Sequence, residues 1–232
     1  MKEHPILFSG PMIRAILAGR KTVTRRLVKV TMPAGSELEL RDPDPRGTVA
    51  TVLRPDGTLG GGVVCPFGAV GDRLWVRETW RPWVRAWSSH VQFRADNVRG
   101  AVLDEETSDA VMKRCNKRGG HWDDGRGANP ADTPWTPSIF MPKGAARIWL
   151  RVESVGVERL QDITPKDIIA EGAVERAHDD QFGHNPVSTF DGKVYMDLQS
   201  LWARGWDAIN GKRAPWASNP WVWRVGFSVV EP

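Results

Sequence analysis

The sequence predicts a mixed α+β fold in which strands predominate, helices are short, and one long irregular insertion interrupts the chain. Three observations carry this. Strand-like alternation recurs, most clearly at 73–80, 147–157 and 221–229. Helical spacing is confined to short segments, and the stretch from Arg81 to about Pro142 has no sustained period. With 232 residues and no clean linker, a single domain over 1–232 is expected, with the insertion at about 81–135. Strands separated by short helices suit a small closed or half-closed β-barrel.

Taken in order, Pro5 to Phe8 reads as a short strand. Gly10-Pro11 then opens a helix carrying Met12, Ile13, Ile16 and Leu17 on one side, and Gly19 stops it. Thr22 to Val28 is β-branched and extended. Residues 32–62 are rich in Pro, Gly and Asp and read as a loop, with one hairpin strand at Thr48 to Leu53. Gly71-Asp72 is a turn into the strand 73–80, whose Leu74 and Val76 face one way and Trp75, Arg77 and Thr79 the other. A short helix is expected near Glu105 to Lys113. Arg147 to Val157 is a strand, and Thr164-Pro165-Lys166-Asp167 caps a short helix that ends near Glu171-Gly172. A longer helix covers about Met196 to Ile209, with Leu198, Leu201, Trp202 and Ile209 on its apolar side. The alternation from Trp221 to Val229 predicts a half-buried final strand.

Composition narrows the function classes. No apolar run of membrane-spanning length occurs, and MKEHPILFSG lacks the run that export needs, so a cytoplasmic protein with free thiols at Cys65 and Cys115 and no membrane partner is expected. The histidines (4, 90, 121, 178 and 184) are scattered, no Cys-x-x-Cys frame exists, and neither a Walker loop nor a Gly-x-Ser-x-Gly elbow is present. No metal and no cofactor are therefore expected. The net charge is only +4, but 23 of the 32 basic residues are Arg, whose planar fork suits phosphate and base recognition. A GC-rich genome would produce the same bias.

The chemistry concentrates in Gly19–Arg26, where Arg20, Lys21, Arg25 and Arg26 flank the hydroxyls of Thr22 and Thr24. One reading is a solvated edge strand guarded by charge. The other is a site in which Lys21 lies close to Thr24. Residues three apart in a strand point to opposite faces, so the two can meet only if the Gly19 turn folds Lys21 back before the strand begins. A lysine shielded from water holds its proton less tightly and can then activate a hydroxyl.

Ile16–Arg26 (ILAGRKTVTRR) resembles the opening motif of the ASCH domain family, a branch of the PUA-like β-barrel superfamily. Gly71–Glu78 (GDRLWVRE) and Val157–Gly172 (VERLQDITPKDIIAEG) resemble its second and third elements. Ser138–Pro142 (SIFMP) and Asn219–Trp223 (NPWVW) resemble stretches in the long ASCH proteins of phages and prophages. The resemblance implies a PUA-like small barrel and a cleft around Lys21 and Thr24 that recognises RNA or a modified nucleoside. In that reading Arg20, Lys21, Arg25, Arg26 and Arg77 would contact phosphate or base edges, with an exposed aromatic such as Trp75 or Trp80 for stacking. Some small bacterial members are amidohydrolases that remove the acetyl group of N4-acetylcytidine with a Lys, a Thr and a Glu. By motif position Lys21, Thr24 and Glu171 match these three, so the resemblance also implies a catalytic alternative: attack by Thr24, with Lys21 as base and Glu171 orienting Lys21 or shuttling the proton. RNA cleavage, with Lys21 stabilising the phosphorane, is a further alternative. This chain is much longer than those hydrolases, and its insertion is expected to reshape or cover the cleft.

Overall fold

The computed structural model describes residues 1–41, 47–85, 88–116, 133–175, 187–188, 194–195 and 197–231. The parts of the expected insertion at 86–87 and 117–132, the expected helix start at Met196 and the Cys115 side chain lie outside that description. The fold is mixed α+β. In order the elements are β1 (Glu3–Leu7), α1 (Gly10–Leu17), β2 (Val23–Leu27), β3 (Glu37–Arg41), β4 (Val49–Leu53), β5 (Leu59–Val64) and β6 (Arg73–Arg77). There follow β7 (Trp80–Arg85), β8 (Ser88–Phe93), α2 (Glu105–Asn116), β9 (Trp149–Arg159), α3 (Pro165–Ala170), β10 (Val174–Glu175), β11 (Val187–Ser188), β12 (Val194–Tyr195), α4 (Leu198–Asn210) and β13 (Trp221–Val230). Among the described residues the sheets are open, which corrects the barrel expectation.

The chain gathers into two compact units. The first comprises Met1–Lys2, Ala15–Asp72 and Arg151–Ser228, and the second Glu3–Arg14, Arg73–Leu150 and Val229–Pro232.

In the first unit the strand order β9-β13-β2 places β13 between its two neighbours, antiparallel to β2, with Val225 opposite Thr24 and Arg224 opposite Arg25. The expected half-buried β13 is in fact covered on both faces: Val222, Trp223, Val225 and Phe227 are all buried. Val222 packs into a core with Leu160, Ile163 and Ile168 around α3 and with Leu201, Trp202 and Trp206 of α4. The two helices are started by side chains that bond orphan backbone N–H groups. Thr164 Oγ1 accepts from the Asp167 N–H in a capping box, and the Asp197 carboxylate accepts from the Ser200 N–H at 2.6 Å. Ile209, expected on the apolar side of α4, is 66% exposed.

A second sheet in this unit, β3-β4-β5, is an antiparallel meander where one hairpin strand within a loop was expected. The Gly60-Gly61-Gly62 run hid β5. A Cβ at Gly62 would come within 2.7 Å of Val49 Cγ1, so glycine here serves close strand packing rather than a turn.

In the second unit β1 pairs in parallel with β6, and β7 with β8 form an antiparallel hairpin. The hairpin's inward residues, Trp80, Val91 and Phe93, form a core with Trp75, Val111 of α2, Met141 and Trp149. The described part of the segment expected to be an insertion or lid therefore helps build a core. Pro82 inside β7 and the interleaved Arg and Trp residues masked its alternation.

Candidate active site

Lys21 lies at the join between α1 and β2 in the first unit. The helix ends through Gly19, at φ +69°, a left-handed conformation that glycine adopts without the Cβ penalty. Gly19 N–H donates to Ile16 O at 2.9 Å, and the N–H groups of Arg20 and Lys21 reach back to Ala15 O at 2.9 and 3.1 Å. This turn places Lys21 before the strand, beside the end of α3, where its backbone forms an isolated antiparallel bridge with Glu171. Thr22 N–H donates to Ala170 O at 2.8 Å and locks the same junction.

The Lys21 side chain is enclosed, at 1% exposure, and so is Glu171. Lys21 Nζ donates to Glu171 Oε2 at 2.5 Å, to Glu171 O at 3.1 Å and to Val23 O at 2.7 Å. Burial is the main influence on the ammonium and lowers its hold on the proton below the ordinary lysine value. The Glu171 carboxylate opposes this by charge and hydrogen bond, while the charges of Arg26 and Arg25 reinforce it. Thr24 lies on β2 at 2% exposure, so the solvated-edge reading fails for the strand's Val23–Arg25 half.

Arg25 is also enclosed, at 5% exposure, and its guanidinium faces three carboxylates. Nε meets Glu158 Oε1 at 2.6 Å, Nη2 lies 3.2 Å from Asp167 Oδ2, and Nη1 lies 3.5 Å from Glu171 Oε1. Its cross-strand neighbour Arg224 contacts the same two outer acids through their other oxygens, at 2.9 Å to Asp167 Oδ1 and 4.0 Å to Glu158 Oε2. Two arginines directly opposite one another would repel; here a carboxylate bridges them on each side. Burial works to raise the Asp167 carboxyl, but hydrogen bonds from Arg224 and Thr164 and the charges of Arg25 and Arg224 outweigh it and hold it at about 2.

The sequence-predicted residues thus separate into groups. Lys21 and Glu171 meet, and Arg25 joins them. Arg26, half-buried on β2, contributes charge to the pair. Arg20 is exposed and donates to Gly172 O at 3.0 Å, tying the opening motif to the turn after α3. Trp75, Arg77 and Trp80 belong to the second unit. The expectation that Trp75 or Trp80 stacks on a base is corrected: they are 7% and 0% exposed and fill the core, the usual destination of so large an apolar surface. Arg77 lies over the Trp75 ring at 4.4 Å and donates to Ile139 O at 3.4 Å.

Glu158, Asp167 and Arg224 were not expected at the site. Asp167 announces itself only as a helix-capping residue, and Arg224 as one polar position in an alternating strand. Elsewhere, the second unit has a cleft of about 400 Å³ lined in part by Arg14, Glu78, Thr79 and Arg94. Glu78 is held by two hydrogen bonds from Arg147, at 2.9 and 2.8 Å, and Arg147 is shared with Asp96.

No protein-family model, no curated protein and no solved structure matches this chain. Among the described residues no helix is long and apolar enough to cross a membrane.

Proposed function

We propose that the chain is a divergent member of the ASCH, PUA-like group and an amidohydrolase acting on an acylated nucleoside of the N4-acetylcytidine type, free or within RNA, in the cytoplasm. One observation carries this reading: Lys21 and Glu171, 150 residues apart, meet as an enclosed ion pair at 2.5 Å beside the strand that bears Thr24. Thr24 Oγ attacks the acyl carbonyl as its proton passes to Lys21, which requires Lys21 to have yielded its own proton to the Glu171 side. The C–N bond then breaks, the leaving amine takes a proton relayed through Lys21 and Glu171, and water hydrolyses the acyl-threonine ester. Enclosure favours such a base, because it weakens the lysine's hold on its proton.

A second reading, recognition of the modified base without reaction, is favoured by a different observation. All three ammonium protons of Lys21 have an acceptor, in Glu171 Oε2, Glu171 O and Val23 O. A lysine so saturated is a fixed structural cation until one of those bonds opens. Contact with a phosphate backbone through Arg25 is less well supported than either, since its side chain is fully enclosed among carboxylates.

Cytidine release from N4-acetylcytidine by the purified protein separates the two. Turnover that is lost in both Lys21→Ala and Thr24→Ala supports the hydrolase. Saturable nucleoside binding without cytidine release supports recognition alone, and turnover unchanged in both variants removes the site assignment.

A further inference from the structure

We propose that Arg25 is a positioning residue for the Lys21–Glu171 pair: anchored by Glu158 and Asp167, it draws one Glu171 oxygen to itself, leaves the other on Lys21, and so keeps Lys21 able to release its proton. The proposal rests on the hydrolase reading of this site and gives Arg25 a role other than the ligand contact expected from its motif.

The geometry argues for it in three ways. First, the Arg25 side chain has no exposed surface, and each branch of its fork faces a different acid. A guanidinium enclosed in that way presents no surface to a phosphate. Second, the two oxygens of Glu171 are divided between the cations, Oε2 on Lys21 at 2.5 Å and Oε1 on Arg25 at 3.5 Å. A carboxylate that answers to a single lysine in a dry site holds it as ammonium; one shared with a permanent cation holds it less firmly. Third, Arg25 is braced against moving wholly onto Glu171. Glu158 from β9 and Asp167 from α3 each contact Arg25 through one oxygen and Arg224 of β13 through the other.

The charged groups facing Lys21 and its partner are therefore Glu171 from the end of α3 and Arg25 and Arg26 from β2. Behind them stand Glu158, Asp167 and Arg224. Burial is the first cause of the lowered proton affinity of Lys21, and the charges of Arg26 and Arg25 act in the same direction.

The test uses Arg25→Gln and Arg25→Lys in the full chain. Lys21 is followed by NMR titration of labelled lysine side chains, assigned by comparison with Lys21→Met, and N4-acetylcytidine kinetics are run in parallel. Arg25→Gln is expected to raise the Lys21 titration midpoint by about one pH unit, a tenfold change in proton affinity. It should lower kcat roughly tenfold or more while KM stays within about twofold. Arg25→Lys keeps the charge but not the fork, so an intermediate midpoint and a smaller kcat loss are expected. A folded Arg25→Gln in which Lys21 titrates as in wild type overturns the proposal. So does a rise in KM with kcat preserved, which would make Arg25 a substrate ligand. If Arg25→Gln does not fold, Arg25→Lys decides, and a wild-type midpoint there overturns it. If the wild-type protein releases no cytidine, the hydrolase reading fails by itself, and the titration still decides whether Arg25 sets the state of Lys21.

Discussion

Lys21 and Glu171 are joined twice, by a backbone bridge between otherwise separate segments and by a 2.5 Å ion pair between their side chains. The backbone contact fixes where the pair forms, and the side-chain contact makes each residue necessary to the other. An enclosed ion pair contributes little beyond what matched apolar residues would, yet losing one member strands a charge. Lys21→Met is therefore expected to lower stability by about 3–5 kcal/mol, and Lys21→Met with Glu171→Leu to recover most of that loss. Urea unfolding of the two single variants and the double variant checks this. Additive losses would mean that the pair is not coupled.

Acid stability should depend on Asp167. Its carboxyl is held at about 2, below the ordinary value of 3.8. The stabilisation is therefore complete above pH 3.8 and is lost as the pH falls toward 2. Allowing for partial solvent exposure, it amounts to roughly 1 kcal/mol. Asp167→Asn should flatten the stability profile in that window relative to wild type. An unchanged slope between pH 4 and 2 would show that the Arg224 and Arg25 contacts do not hold the carboxylate.

Replacing Trp80 tests its reassignment from stacking surface to core. Trp80→Ala should cost about 3–5 kcal/mol by denaturant unfolding, because the ring is fully enclosed. Below the unfolding transition it should leave nucleoside affinity unchanged. A fall in affinity with stability intact would restore Trp80 as a binding residue.

The Cys65 thiol should stay silent until the protein unfolds. Burial raises it to about 11, only partly offset by a hydrogen bond from the Phe67 backbone, and it is 2% exposed. In a Cys115→Ser background, a thiol-specific reagent at pH 8 should label native protein far more slowly than protein in denaturant. Rapid native labelling would indicate that the β3-β4-β5 side of the first unit opens.

Glu171 was tied to Lys21 only through the family resemblance; what the residues themselves made legible was the local structure on either side. Gly19 ends a helix, Thr164-Pro165 starts one, and both act within a few residues of Lys21 and Glu171. Glu158, Asp167 and Arg224 were not legible as site residues, because their importance lies in which oxygen faces which nitrogen across three elements. The fold was misread where composition disguised periodicity. Three consecutive glycines concealed β5, and Pro82 with alternating Arg and Trp concealed β7. Trp75 fell on the polar side of its strand by alternation, yet it is buried, because β6 is covered on both faces. Period alone cannot reveal a second covering layer.

The two units are interleaved along the chain, the first drawing on Ala15–Asp72 and again on Arg151–Ser228. Lys21 and Glu171 lie 150 residues apart in the chain, with the Arg73–Leu150 part of the second unit between them. Any contiguous fragment that carries the pair must include the 151 residues from Lys21 through Glu171, about two-thirds of the 232, so the contact forms only by closing a long loop of chain.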